Sequence, residues 1–86
     1  MPRHRKRPVI IDAFRFGYDP IPDWFDSAID EGKVVFKTPH HPIIKTLEGE
    51  HYANFGDWII RGVIGELYPC KHEVFLQTYE AADEDS

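Results

Sequence analysis

Cysteine and methionine each occur once in this 86-residue chain. No apolar run approaches the roughly 18 residues that a membrane-spanning helix requires. One cysteine excludes an internal disulfide framework and the four-cysteine zinc patterns, and it fits a reducing compartment. The segment Met1-Pro2-Arg3-His4-Arg5-Lys6-Arg7 lacks the apolar stretch of a secretory signal. Neither export nor membrane insertion is expected, and the location predicted is cytoplasmic. A chain of this length removes only about 60% of its unfolded surface on folding, so one small core and one domain are expected. Six Phe, four Tyr and two Trp supply the large buried area per residue that such a core needs.

The charge is unevenly placed. Arg3, Arg5, Lys6 and Arg7 form a basic arm over residues 1–7, and Glu80, Asp83, Glu84 and Asp85 form an acidic tail. Between them lie six basic and eleven acidic residues. An acidic body disfavours general binding to phosphate backbones, which needs clustered cations to release counterions. A basic protein partner or a small ligand is easier to accommodate.

Periodicity sketches an α+β domain over residues 8–81. Pro8 to Phe16 is β-branched and aromatic and reads as a strand, with apolar residues on both faces that predict a central position. Ile21, Trp24, Phe25, Ala28 and Ile29 fall at i, i+3, i+4, i+7 and i+8, one helical stripe with Trp24 and Phe25 inward. Pro22, Asp23 and Asp26 suit its start, and Gly32 its end. Val34–Lys37 reads as a strand, and Pro39 and Pro42 predict a loop over residues 38–42. Ile43–Leu47, Glu50–Asn54, Trp58–Arg61 and Glu66–Pro69 read as short strands joined by tight turns in a meander. Gly62 and Gly65 are expected to supply positive φ in the last reversal. Cys70–Phe75 reads as one turn of helix, Leu76–Ala81 as a closing strand, and residues 82–86 as a disordered tail. The fold expected is one helix packed on one bent antiparallel sheet of five or six strands.

Candidate chemistry is sparse. His40 and His41 are adjacent, so on extended chain they point to opposite sides, while Cys70 and His72 offer only two ligands. No metal and no cofactor is expected. Cys70 has Lys71 and His72 beside it but no nucleophile signature around it, and a small buried cysteine at a strand end is the commoner arrangement. Asp30 with Glu31, and Glu48 with Glu50, flank a helix end and a hairpin turn, where solvated charge is the ordinary reading. The spacing Gly62-x-x-Gly65 has no lysine and no following helix, unlike a phosphate-cradling loop. Catalysis is therefore not expected.

The residues Arg5-Lys6-Arg7-Pro8-Val9-Ile10-Ile11-Asp12-Ala13-Phe14, Ile44-Lys45-Thr46-Leu47-Glu48-Gly49-Glu50, Gly56-Asp57-Trp58-Ile59-Ile60-Arg61-Gly62-Val63, Gly65-Glu66, Tyr68-Pro69-Cys70-Lys71, Phe75 and Thr78-Tyr79-Glu80 together resemble a family of small proteins encoded by tailed bacteriophages and prophages. That family opens on an RKKPV-like arm and carries a GDWIIRGVKGEFYPCK-like motif; this chain departs from it at Ile64 and His72. The resemblance implies a phage accessory protein in the cytoplasm of a bacterial host and implies no activity. The partner expected is a host protein, in one concrete version a component of a defence system such as a CRISPR-type nuclease. A nucleotide-sequestering protein and a nucleic-acid binder using the basic arm are the alternatives, and an edge strand leaves room for a homodimer. Asp57, Arg61, Glu66, Tyr68 and Lys71 are the surface expected to make contact, with Arg61 foremost.

Overall fold

The computed structural model describes residues 2–4 and 8–82. The expectations of a basic arm over Arg5, Lys6 and Arg7 and of a disordered tail over residues 83–86 lie outside them. Within the described residues the elements run β1 (Asp12–Arg15), α1 (Asp23–Asp30), β2 (Val34–Thr38), β3 (His41–Thr46), β4 (Gly49–Tyr52), β5 (Trp58–Arg61), β6 (Leu67–Cys70) and α2 (His72–Thr78). The class is mixed α and β, mostly sheet. The single bent sheet with one helix is not what forms: two three-stranded antiparallel sheets, β1-β5-β6 and β2-β3-β4, carry two helices.

The split follows from β5. Its inner edge is taken by β1, with Phe14 opposite Ile59, and its outer edge by β6, with Pro69 opposite Ile59. No edge of β5 is left for β4, so the expected continuous meander stops after β2-β3-β4. For the same reason β1 is an edge strand and not a central one. Pro69 lies inside β6 instead of ending it. Phe16 N–H donates to the Asp57 carbonyl at 2.8 Å, and by alternation Ile59 turns its backbone polar groups towards β1. The missing N–H of Pro69 then points off the sheet edge, where proline is tolerated.

The helix α1 forms as its stripe predicts. Pro22 occupies its N-cap position, and its end is a Schellman closure: Gly32 N–H donates to Ile29 at 3.1 Å and Lys33 N–H to Ala28 at 2.9 Å. Phe25 and Ala28 are buried, and Trp24 packs half-buried against them. Phe14, Phe16, Val34, Ile44, Ala53 and Ile59 complete the core, with Phe14 edge-on to Trp24 at 5.5 Å and to Phe25 at 4.9 Å. These are favoured aromatic geometries.

Three local differences have physical causes. The predicted loop at 38–42 shrinks to Pro39-His40, because a register shift around Lys37 absorbs the irregularity and lets Pro42 enter β3 fully buried. Residues 76–78 are helical, not strand: His72, Phe75 and Tyr79 sit at i, i+3 and i+7, where His72 hydrogen-bonds Trp58, Phe75 stacks on Trp58 and Tyr79 stacks on Phe75. Gly62 has no positive φ; an added Cβ there would meet only the carboxylate end of the flexible Glu66 side chain, while Gly65 supplies the left-handed turn residue at φ 87°.

Candidate functional site

The five residues expected to form one contact surface do not converge. Asp57 and Lys71 flank the Trp58–Cys70 pair at one end of the β5–β6 hairpin, whereas Arg61 and Glu66 sit at its turn end. Asp57 is a turn residue: its carboxylate accepts the Asn54 N–H at 2.9 Å, and its own N–H returns to the Asn54 carbonyl at 3.0 Å. Lys71 is exposed and opens α2, its carbonyl receiving Phe75 N–H at 2.8 Å.

Arg61 is engaged within the domain. Its Nη2 meets Asp12 Oδ2 at 2.5 Å, and its guanidinium lies 5.3 Å from the centre of the Trp24 ring. The ion pair is about half exposed, at 40% and 56%, so it ties β1 to β5 with little net energy. Arg3 is exposed; Arg5, Lys6 and Arg7 are outside the described residues.

Tyr68 is half-buried, its hydroxyl 3.3 Å from that of Tyr79. Burial first, then the Tyr79 hydrogen bond and the charges of Tyr79, Glu66 and Cys70, push the phenol well above the ordinary tyrosine range. Cys70 is half-buried beside it, with Sγ 3.6 Å from the Lys71 carbonyl. Burial and then Asp57 raise its thiol, opposite to the shift that activates a nucleophile. His72 accepts a hydrogen bond from Trp58 Nε1 at 3.0 Å through Nδ1 with the two rings nearly coplanar, and His40 packs edge-on to Phe55.

A concavity lies where the two sheets meet. It is an open cleft of about 720 Å³ between the β3–β4 hairpin and the β5–β6 turn. Lys33, Lys45 and His51 line one side, and Glu66, Leu67 and Tyr68 the other. Two of the expected contact residues, Glu66 and Tyr68, thus belong to it.

Both hairpin tips bordering the cleft are built to hold apolar side chains outward. In the β3–β4 turn the Thr46 hydroxyl donates to the Gly49 carbonyl at 2.9 Å and accepts Glu48 N–H at 3.2 Å, fixing Leu47 at the apex, fully exposed. In the β5–β6 turn Gly62 N–H donates to the Glu66 carbonyl at 2.7 Å and Gly65 N–H to Gly62 at 3.0 Å. The Glu66 carboxylate accepts Ile64 N–H at 3.1 Å, and Val63 and Ile64 project from the apex, Ile64 at 87% exposure.

Leu47, Val63, Ile64, Lys33, Lys45 and His51 are the residues that the sequence reading missed. For the first three a signal exists, since turn apices ordinarily carry Gly, Pro, Asn, Asp or Ser. Lysines and a histidine scattered between positions 33 and 51 give none.

No protein-family model matches this chain, and no curated protein or solved structure matches it at a significant level.

Proposed function

We propose that this protein is a non-enzymatic phage accessory protein that acts in the host cytoplasm by binding a host protein, with the cleft and its two hairpin tips as the contact surface. The observation that carries the reading is the pair of exposed apolar apices, Leu47 and Val63-Ile64, on either side of one cleft. Isolated exposed aliphatics are ordinary, but apolar apices braced by turn hydrogen bonds around a concavity have the form of an interface centre. The acidic body adds steering towards a basic partner surface. Inhibition of a defence nuclease is the concrete version, since such enzymes carry basic grooves for nucleic acid; it rests on the phage resemblance and the charge.

The test is capture from lysate of the bacterial host with tagged wild-type protein and with Leu47→Glu and Ile64→Glu. Neither change reaches the core, so both variants are expected to fold. The reading expects one stoichiometric host protein, lost at least tenfold in both variants. A partner retained by both variants would overturn the assignment of the surface. No stoichiometric protein partner would overturn the function.

A second reading, sequestration of a small nucleotide, is favoured by Lys33, Lys45, His51 and Tyr68 sharing one cleft of ligand size. It expects a nucleotide released on denaturation and a rise in Tm when that nucleotide is added back. Binding of nucleic acid through the basic arm has the acidic body against it.

A further inference from the structure

The outer edge of β1 is open over part of its length, and the structure marks where it closes. Phe16 exchanges hydrogen bonds with the β5 side, its N–H with Asp57 and its carbonyl with Gly56, both at 2.8 Å. Alternation therefore directs the backbone polar groups of Asp12, Phe14 and Phe16 towards β5, and those of Ala13 and Arg15 outwards. At Arg15 the outward groups are used: its N–H goes to Asp19 Oδ2 at 2.8 Å, and its carbonyl takes Tyr18 N–H at 3.1 Å and Asp19 N–H at 2.9 Å. At Ala13 and Ile11 no partner occurs among the described residues. Val9 and Ile10, which precede them, are exposed at 46% and 74%. Apolar chain leading into an unpaired edge strand is what natural sheets normally avoid.

We propose that this edge pairs with the same edge of a second copy, antiparallel about a two-fold axis at Ile11, to form one continuous six-stranded sheet. The Asp19 cap at Arg15 bounds the register. It excludes any pairing that reaches past Ala13, and the longest symmetric window then left within the described residues is Val9 to Ala13. In that window Ile11 faces its own copy and Val9 faces Ala13 twice, giving six backbone hydrogen bonds, all from outward groups of odd-numbered residues. Pro8 is compatible, because with extended chain its missing N–H belongs to the inward set. The window also sets Ile10 beside Asp12, so no like-charged pair arises within it. Its N-terminal side continues into basic sequence, while the copy carries exposed Asp19 and Asp23 beyond the other end. A second copy therefore matches this edge in length, hydrogen-bonding parity and charge. The contact is small, so the association is weak, with a Kd of about 10–100 μM.

Sedimentation equilibrium of the full chain from about 1 to 500 μM spans that range. Proline substitutions then separate backbone pairing from mere apolar contact. Val9→Pro removes an outward donor at each of two symmetric places and is expected to weaken the dimer about 30-fold, at about 1 kcal/mol per hydrogen bond. Ile10→Pro removes only an inward N–H beyond the end of β5 and is expected to change dimerisation less than threefold. Both lie outside β1, and melting curves confirm that each variant folds. Concentration-dependent amide exchange is a second readout: Val9, Ile11 and Ala13 slow in the dimer, and Ile10 does not. A monomer throughout the range overturns the proposal, and so does a dimer unaffected by Val9→Pro or equally weakened by both variants.

Discussion

Docking of α2 onto β5 offers the sharpest test of how this fold is held together. The helix has seven residues and buries none of them fully. A free helix of that length does not persist in water, so α2 exists only while docked. Three contacts dock it: the Trp58–Phe75 stack, with centroids 3.9 Å apart and rings 3° from parallel, the Trp58–His72 hydrogen bond, and the Tyr68–Tyr79 hydroxyl contact. Phe75→Ala removes an aromatic pair worth about 0.5–1.5 kcal/mol and part of the burial of a half-covered ring, together about 2 kcal/mol. Local opening should rise about 30-fold, because 1.4 kcal/mol is a factor of ten. Trp58→Phe keeps a stacked ring but loses the indole donor, about 1 kcal/mol, and opening should rise about fivefold. The assay is amide hydrogen exchange at Phe75 and Tyr79, whose N–H groups close the helix onto Lys71 and Phe75. Both should exchange faster in the variants, while Ile59 in β5 keeps wild-type protection. Unchanged exchange in α2, or an equal rise throughout the domain, would refute the idea that α2 opens separately.

Phe25→Ala, at the wholly buried centre of the α1–sheet contact, is expected to cost about 3–5 kcal/mol, enough to unfold much of a domain this small; denaturant unfolding measures it. Gly17→Ala meets both a φ of 92° and the Phe55 ring, so a loss of more than 1 kcal/mol is expected, with Tm as the readout. Tyr68 and Cys70 hold their protons more tightly folded than unfolded. The unfolded chain therefore deprotonates first as pH rises above about 9–10, and stability that is intact at neutral pH should fall through the alkaline range. Denaturant midpoints from pH 7 to 11 follow this, and Tyr68→Phe should flatten the decline. Asp12→Asn opens a half-exposed ion pair and should cost less than about 1 kcal/mol; a larger loss would show that Arg61 is structural beyond its salt bridge.

Local pattern determined much of this protein. The stripe of Trp24, Phe25, Ala28 and Ile29 and the stop at Gly32 specify α1, because helical periodicity and caps are properties of neighbouring residues. The turn at Gly62–Gly65 was legible for the same reason, as were the strands at Trp58–Arg61 and over most of β3, whereas the β3–β4 turn falls at Leu47-Glu48, one residue before the Glu48-Gly49 that the glycine suggests, because Gly49 pairs with Thr46. Strand partnership was not legible. That β1 rather than β4 lies beside β5, which divides the strands into two sheets and leaves β1 at an edge, depends on pairings about 45 residues apart, such as Phe14 with Ile59. The helical state of residues 76–78 likewise depends on a distant platform, the Trp58 ring, since the same residues also alternate as a strand would. The candidate site follows that division. Apolar apices at Leu47 and Ile64 are written in the sequence as apolar residues at turn positions. The cleft between them exists only because tertiary packing brings one hairpin of each sheet together, and no spacing along the chain encodes that meeting.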